Sequence, residues 1–393
     1  QRFYTKYENH KLRLKYLEYR LISTYFEKNK ILDFLKNNKK YIDGNYYLFE
    51  KLCLGCLEDN DLIEEKLSNE YNKFLFNYKY QLEFNTRNLY FKDYLLSIVL
   101  LAKKKEFQKK FKEEVELIKL ARIEFFINKF HHVPSQSLVL KRFMPLRAYK
   151  TQLRTINKLK TQKFKNYNVN PIFIIGLPRT GSTLVEKILQ NPKLIYDCDE
   201  CTIVNKFSFN IDLNNGINDL YKFYCQHFKG LNKFKYFTDK SLGNFAYIDL
   251  IISIFPNAKF IHCTRDLREN IIGIFKQQFD NLPWSHTIGD IMEYVDQYIQ
   301  VMKIMNKRYS NNILEINHSN LIKNKEKETK KLFRFLNIDW NNKIFNFSKK
   351  QTFTNTSSKY QIKEGISKKY LNKYSDYYFI LDEFKQKYSW LNY

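Results

Sequence analysis

The chain has 393 residues, of which 44% are hydrophobic and 17% aromatic, so it can bury a large core and is not intrinsically disordered. Its formal net charge is +26, with 67 Lys and Arg against 41 Asp and Glu, a balance that would suit a polyanionic partner. Because the excess is mostly Lys in a chain also rich in Asn, Ile, Tyr and Phe, we read it as a compositional bias of the surface and give weight only to cations placed by a motif.

Residues 1–165 are poor in Gly and Pro, dense in charge, and have apolar residues at intervals of three and four, which predicts helices. The last of these is Lys105–Phe130. The succession is typical of a helical array, without a strict repeat. No segment reaches the roughly 20 apolar residues of a membrane span, since the longest candidate is Tyr94–Ala102. A targeting or anchoring segment ahead of Gln1 stays open.

The Lys- and Asn-rich segment Lys158–Asn170 is the predicted linker, which makes residues 1–165 a helical domain and residues 166–393 a second domain. Three apolar, β-branched runs then predict strands buried on both faces of a parallel sheet: Pro171–Ile175, Ala258–Cys263 and Ile313–Ile316. Helices are predicted between them, at Tyr247–Ile254 and Thr287–Tyr309. The expected fold class is therefore α/β, a P-loop-type parallel sheet flanked by helices and preceded by an all-α domain.

A phosphate loop is predicted at Gly176–Thr183, directly after the first strand and ahead of the helix Leu184–Gln190. Its glycines let the backbone approach an anion, which the N–H groups and the helix dipole then attract. The Gly-x4-Gly spacing matches a Walker A loop, but Ser182 stands where that loop requires Lys. The sequence thus disfavours nucleoside-triphosphate hydrolysis and favours a smaller phosphosulfate group.

The segment Pro178–Thr183 resembles the Pro-Arg-Ser-Gly-Thr-Thr loop of sulfotransferases that use 3′-phosphoadenosine 5′-phosphosulfate (PAPS), in particular the tyrosylprotein sulfotransferases and bacterial sulfotransferases with N-terminal tetratricopeptide-like helices. Later segments similar to the family's, in order and spacing, are Phe237–Lys240, Phe255–Asp266 and Ile313–Leu321. The resemblance implies transfer of a sulfuryl group from PAPS to a peptidyl tyrosine, a glycan or a small molecule by in-line displacement. It also implies that the N-terminal domain is a degenerate tetratricopeptide-like array.

The resemblance further implies which residues bind the donor. Those expected to hold the 5′-phosphosulfate are Arg179, Thr180, Gly181, Ser182 and Thr183. Arg265 stands where the family's arginine for the 3′-phosphate lies. Gly273 occupies the position of a usual Ser, so that contact falls to its backbone N–H, to Asn270 or to Lys276.

Three further donor residues follow from the same resemblance. His318 stands where the family often has Tyr, and either lines the nucleotide pocket or is a buried structural histidine. Ser358 and Lys363 belong to a segment expected to fold back over the nucleotide.

Lys240 takes the place of the catalytic lysine, whose charge stabilises the oxygen that bridges phosphate and sulfur.

The acceptor hydroxyl needs a base, which in the family is a carboxylate beyond a His-Pro or Asn-Pro corner. Here Asn191-Pro192 is followed by Asp199 and Glu200. Counting from the proline selects Asp199, whereas matching the side chain selects Glu200. We favour Glu200 and keep Asp199 as the alternative.

No metal is expected, because fixed cations and backbone dipoles neutralise the donor. The CxxC pairs, Cys53 with Cys56 and Cys198 with Cys201, lie far apart, and the second falls in the predicted catalytic loop, so neither predicts zinc. Six cysteines are too few for a disulfide scaffold and favour the cytoplasm.

The expected partner is a hydroxyl-bearing acceptor, with an acidic protein or peptide among the candidates. A homodimer is compatible with the sequence, and no specific nucleic acid is expected. Two other functions are weaker: a P-loop kinase or NTPase, which Ser182 disfavours, and a basic helical scaffold for nucleic acid, for which no recognised motif is present.

Overall fold

In a computed structural model of the protein, the residues described are 102, 105–106, 108–130, 138–159, 169–190, 194–209, 220–277, 279, 281–349, 366–368 and 371–392. The chain divides into two compact units. The first comprises Gln1–Lys129 and Ser348–Lys363, and the second comprises Phe130–Phe347 and Glu364–Tyr393. The second unit contains the sheet and all described residues of the predicted site.

The described α-helices are α1 (Phe111–Phe130), α2 (Leu138–Phe143), α3 (Pro145–Leu159), α4 (Ser182–Leu189), α5 (Ile203–Phe209), α6 (Leu220–His227), α7 (Ile248–Ile254), α8 (Leu267–Lys276), α9 (Ile288–Arg308), α10 (His318–Lys323) and α11 (Lys325–Leu336). The strands are β1 (Asn170–Gly176), β2 (Ile195–Asp197), β3 (Tyr236–Asp239), β4 (Lys259–Thr264) and β5 (Ile313–Asn317). Short 3₁₀ segments occupy Leu231–Lys233, Leu242–Tyr247, Pro283–Ser285, Asn342–Lys349, Ser375–Phe384 and Ser389–Asn392.

The five strands form one parallel sheet in the order β2-β3-β1-β4-β5. Strand β1 lies at its centre and is buried from Pro171 to Gly176, as a β-branched and aromatic run between two layers of helices should be. The Phe173 ring stacks on Phe260 of β4 at 5.4 Å between ring centroids. All-parallel order means that the carboxyl ends of all five strands meet at one edge of the sheet.

Helix α3 packs into the sheet-containing unit through a buried polar cluster. Gln152 of α3 donates to Asp249 of α7 at 3.2 Å and accepts from the Leu250 backbone N–H at 3.2 Å. Arg308, near the end of α9, donates to the same Asp249 carboxylate at 2.6 Å. One buried carboxylate thus joins three helices, and each of its contacts is a hydrogen bond.

The α/β class and the parallel sheet flanked by helices are confirmed. The predicted strands correspond to β1, β4 and β5, whereas β2 and β3 were not predicted as strands. Most of the predicted helical N-terminal domain lies outside the described residues, and the boundary at residue 165 stays a prediction. Among the described helices, none has the length and apolar character to cross a membrane.

Candidate active site

The predicted site residues lie where strands end, at the carboxyl edge of the sheet. The phosphate loop follows β1, Lys240 follows β3, and Arg265 follows β4 by one residue. His318 follows β5, and the two candidate bases come just after β2. Segments far apart in sequence are therefore brought to one edge by the strand order alone, which is where parallel α/β sheets bind their ligands.

The loop after β1 depends on two glycines in the left-handed half of backbone space. Gly176 has φ +143°, and a Cβ there would stand 2.5 Å from the Cys263 carbonyl oxygen in β4. Gly181 has φ +85° and precedes α4. Arg179 also has a positive φ, +69°, a conformation that non-glycine residues adopt rarely and at some cost. The loop thus holds its backbone in a shape that ordinary turns do not require.

Polar side chains stabilise this loop from within and from α8. Thr180 donates from Oγ1 to the Leu177 carbonyl at 2.8 Å. Asn270 of α8 donates from Nδ2 to the Pro178 carbonyl at 2.6 Å. Ser182 and Thr183 are buried in the first turn of α4. With the loop carbonyls engaged in this way, its N–H groups and the start of α4 are available to an anion.

His318 lies against the loop from β5. A Cβ on Gly181 would stand 2.5 Å from its Cδ2 atom, so the imidazole fits only because residue 181 is glycine. Burial, with Arg265 and Arg179 nearby, lowers the pKa of His318 to about 4, so the ring is neutral at pH 7. Its buried Nδ1 finds no hydrogen-bond partner among the described residues. Of the two roles expected for His318, this position favours a lining residue.

Arg265 is anchored on both sides of its guanidinium. Its Nη2 donates to Glu269 Oε2 at 2.9 Å, one turn along α8, and its Nη1 lies 3.4 Å from the Arg179 carbonyl. Its side chain is only 10% exposed and that of Glu269 only 2%. A buried, anchored arginine keeps its orientation before a ligand arrives.

Tyr374, which the sequence analysis missed, joins the arginines from the C-terminal segment. Its backbone N–H donates to Glu269 Oε1 at 2.9 Å, and its ring lies 5.8 Å from the Arg265 guanidinium carbon. A Cβ on Gly273 would stand 3.1 Å from Tyr374 Cε2, so the glycine that replaces the expected Ser leaves room for this ring.

The charge around Tyr374 is strongly positive. Burial would raise the pKa of its phenol, yet four nearby cations outweigh burial and hold the pKa below its ordinary value. These cations are Lys373, Arg179, Lys276 and Arg265. A cluster of this kind next to a phosphate loop is suited to a second anionic group.

Lys240 forms the centre of a second cluster, on the other side of β1. Its side chain is fully buried, and its Nζ donates to Glu200 Oε1 at 2.8 Å. Glu186 Oε2 lies 3.4 Å from the same nitrogen and Asp199 Oδ1 lies 3.6 Å from it. Burial acts to lower the pKa of Lys240, but these carboxylates outweigh it and keep the pKa above its usual value. Lys240 is therefore a fixed cation at the edge of the sheet.

Both candidate bases lie in one loop and face Lys240. Glu200 and Asp199 have side chains that are 58% and 53% exposed, so either can reach solvent or an acceptor. The Asp199 carbonyl accepts the Lys240 backbone N–H at 3.0 Å, and its own φ is +52°. Asp197, at the end of β2, accepts the Asp199 N–H at 3.1 Å and so shapes the loop. The geometry keeps both residues as candidates, with Glu200 nearer the ammonium.

Glu186, also missed by the sequence analysis, is the buried member of this cluster. It lies on α4 and is 1% exposed. Its only signal in the sequence is its place between Val185 and Ile188, on a short helix that the structure buries on nearly every side.

The predicted catalytic and donor-binding residues fall into two groups in the structure, and two more lie outside the residues it describes. The loop residues, Arg265, Gly273 and His318 lie together at one end of β1 and β4, and Lys240, Asp199 and Glu200 lie together near β3. Ser358 and Lys363 are outside the described residues. Within the described ranges, no group of three or more His, Cys, Asp and Glu side chains could hold a metal ion.

Parts of the chain are similar to known proteins, sulfotransferases among them. A family model described as "Sulfotransferase family" matches residues 205–342. An uncharacterised protein of Aquifex aeolicus is 23% identical over 235 residues, which is 53% of this chain and 30% of that protein. Protein-tyrosine sulfotransferase 1 of Danio rerio is 23% identical over 216 residues, which is 49% of this chain and 60% of that protein.

The match therefore spans less than two thirds of the length of either curated relative. Among solved structures, a sulfotransferase of Mycobacterium tuberculosis is similar at a TM-score of 0.35 and 11% identity, over 74% of this chain and 94% of that one. A sulfotransferase of Mycobacterium avium is similar at a TM-score of 0.33 and 10% identity, over 58% of this chain and 80% of that one.

Proposed function

Because a sulfotransferase family model matches residues 205–342 and a protein-tyrosine sulfotransferase is similar over about half of the chain, we propose that the protein is an enzyme that transfers a sulfuryl group from PAPS to a hydroxyl acceptor. The single observation that carries the proposal is the glycine loop of β1 with fixed cations on both sides of it at one sheet edge. Arg179 and Arg265 lie together on one side, and the buried ammonium of Lys240, among carboxylates, lies on the other. A donor with a 3′-phosphate and a 5′-phosphosulfate needs cations at two places.

The residues present fit such a donor. A Cβ at Gly176 or Gly181 would collide with the Cys263 carbonyl oxygen or the His318 ring, so the two glycines let β4 and His318 approach the loop closely. The buried His318 Nδ1 has no partner in the described part of the chain and lies near two arginines. We assign the 5′-phosphosulfate to the loop and the first turn of α4, and the 3′-phosphate to Arg265.

The chain's own residues then divide the work of transfer. The bound donor supplies an electrophilic sulfur and a leaving phosphate oxygen. Glu200 takes the proton from the acceptor hydroxyl as its oxygen forms a bond to sulfur, and the electron pair of the broken bond remains on the leaving phosphate oxygen. Lys240 holds its charge near that oxygen, where it counts most as negative charge develops. No metal is needed for these steps.

Peptidyl tyrosine is the acceptor we favour, in keeping with the Danio rerio relative, a protein-tyrosine sulfotransferase. Glu200, whose side chain is 58% exposed, is accessible to a tyrosine presented from outside. We place the reaction in the reducing cytoplasm, a location supported by the described cysteines, all of which carry no disulfide.

Calorimetric titration with 3′,5′-adenosine diphosphate in the absence of magnesium tests donor binding. We expect saturable binding and thermal stabilisation, with no stabilisation by Mg–ATP beyond that of ATP alone. Radiolabelled PAPS offered with acidic tyrosine peptides, polysaccharides and small phenols then tests transfer. Stabilisation only by Mg–ATP would overturn the proposal in favour of a kinase or NTPase. Transfer to a polysaccharide or a phenol alone would overturn the peptide assignment and keep the sulfotransferase.

A further inference from the structure

Lys240 has carboxylate neighbours of two different kinds. Glu200 and Asp199 lie in a loop and are more than half exposed, whereas the Glu186 side chain is 2% exposed and belongs to the helix that begins at the phosphate loop. If Glu200 turns toward an acceptor, its contact with Lys240 is lost or weakened. Glu186 cannot leave in the same way, because the packed helix holds it in place.

We propose that Glu186 is a positioning residue: its buried carboxylate keeps the Lys240 ammonium charged and fixed beside the leaving oxygen when Glu200 is engaged with the acceptor. The inference rests on the proposed function in one respect, the catalytic use of Lys240. Its other support is the distance of 3.4 Å between Glu186 Oε2 and Lys240 Nζ, together with the burial of both side chains.

The burial of the pair explains why a counter-ion is needed there. A lysine with no exposed side-chain surface would lose its proton without a nearby negative charge, since burial disfavours the charged form. Removal of one member of a buried ion pair leaves the other uncompensated, which is more disruptive than loss of an exposed pair. Glu186 itself depends on Lys240, because its Oε1 finds no hydrogen-bond partner in the described part of the chain.

Other titratable groups surround this pair. Burial is the largest influence on the Glu186 carboxyl and raises its pKa, and Asp197 and Asp199 act in the same direction, while Lys240 and Lys187 act to lower it. The negative charge of Glu186 therefore depends on the protonated Lys240 beside it, as the charge of Lys240 depends on Glu186. Lys187 donates to Gln190 at 2.7 Å rather than to Glu186. Lys240 is therefore the cation in direct contact with Glu186 within the described residues.

The first experiment measures turnover against pH for Glu186→Gln. We expect kcat to fall about 10- to 100-fold near neutral pH, with the Kd for 3′,5′-adenosine diphosphate within about threefold of wild type. We also expect the alkaline limb of the kcat profile to move to lower pH, because Lys240 then loses its proton more easily. An unchanged kcat and an unchanged alkaline limb would overturn the inference.

Controls separate positioning from a general loss of stability. Asp249→Asn removes a buried, ion-paired carboxylate from another part of the same unit and should lower stability without moving the alkaline limb. If Glu186→Gln does not fold, Glu186→Asp keeps the charge and should retain the alkaline limb while lowering kcat. In a Lys240→Met background, Glu186→Gln should change kcat less than twofold, since its target is absent. If Glu186→Gln lowers kcat by the same factor with and without Lys240, the assignment is contradicted.

A readout that needs no transfer activity distinguishes failure of this inference from failure of the proposed function. Lysine labelled with ¹³C at Cε reports the Lys240 titration by NMR, the signal being identified by its absence in Lys240→Met. We expect Glu186→Gln to lower the pKa of Lys240 whether or not an acceptor is found. If wild type neither binds the nucleotide nor transfers sulfate, the proposed function fails, while an unshifted Lys240 overturns only the inference.

Discussion

Individual residues at the sheet edge carry roles that their sequence context predicts unevenly. Arg179 and Arg265 could be assigned because each follows a strand inside a motif. Lys240 could be assigned only by resemblance, since a lysine in so basic a chain has no distinguishing pattern. Glu186 and Tyr374 could not be assigned at all, because only packing shows that a charged helix residue is buried or that a distant tyrosine lies among cations.

The choice between the two candidate bases can be tested by an amide substitution at each. Glu200→Gln keeps shape and polarity but cannot accept a proton, so we expect turnover to fall by a factor of about 10²–10⁴ with nucleotide binding intact. Asp199→Asn is the matched control, because Asn tolerates the positive φ of residue 199 and keeps the loop. Loss of turnover in Asp199→Asn alone would transfer the role to Asp199. Single-turnover rates with saturating PAPS provide the measurement.

Tyr374 can be tested by removal of one oxygen atom. Tyr374→Phe should weaken binding of 3′,5′-adenosine diphosphate by about 1–2 kcal/mol if its hydroxyl donates to the 3′-phosphate. Adenosine 5′-monophosphate, which lacks that phosphate, should bind both proteins alike. Tyr378→Phe is the control, since its hydroxyl donates to Glu269 at 3.2 Å instead. Calorimetric titration measures both affinities. If Tyr374→Phe weakens the binding of both nucleotides equally, Tyr374 is a packing residue.

At the scale of elements, long apolar strands could be predicted and short ones could not. Strands β1 and β4 have apolar runs that are buried as expected. The expectation of burial on both faces was wrong for β5, which ends the strand order and exposes Glu315. Strands β2 and β3 have only three and four residues, too few for any periodicity to appear. Their position in the sheet comes from tertiary pairing, Tyr236 of β3 lying between Asn170 of β1 and Ile195 of β2.

The contact between β1 and β4 makes one glycine indispensable. Gly176→Ala would place a Cβ 2.5 Å from the Cys263 carbonyl oxygen, which belongs to rigid backbone, at a φ that alanine rarely adopts. We expect the free energy of unfolding to fall by at least about 1–3 kcal/mol, with a matching loss of nucleotide affinity. Gly289→Ala, where nothing lies within 4 Å of the added Cβ, should be neutral or mildly stabilising. Urea titrations of both variants make the comparison, and equal stabilities would contradict it.

At the scale of the whole molecule, two buried neutral histidines make stability depend on pH. Burial lowers the pKa of both His262 and His318 to about 4, from 6.5. The unfolded chain therefore binds more protons than the folded one between these values, so stability is full above pH 6.5 and declines as pH falls toward 4. The linked loss is on the order of 3 kcal/mol per histidine at pH 4.

Unfolding titrations between pH 4 and pH 8 check this expectation by difference. His318→Asn removes one of the two titrating groups, so its free energy of unfolding should fall less steeply with falling pH than that of wild type. Carboxylates titrate in both proteins, so their contribution cancels in the difference. His262→Gln should do the same independently, since His262 lies on β4 and His318 begins α10, and the two share no partner in the described part of the chain. A decline of identical steepness in all three proteins would contradict neutral burial of these rings.

The contact between Lys240 and Glu200 has a kinetic consequence. As long as the ammonium is held by this carboxylate at 2.8 Å, the base is occupied and poorly placed to take a proton. An anionic donor competes for the same ammonium, so its arrival releases the carboxylate. The acceptor should therefore bind productively only after the donor, giving ordered addition. A peptide titration should show tighter binding in the presence of 3′,5′-adenosine diphosphate, and Glu200→Gln should abolish that dependence.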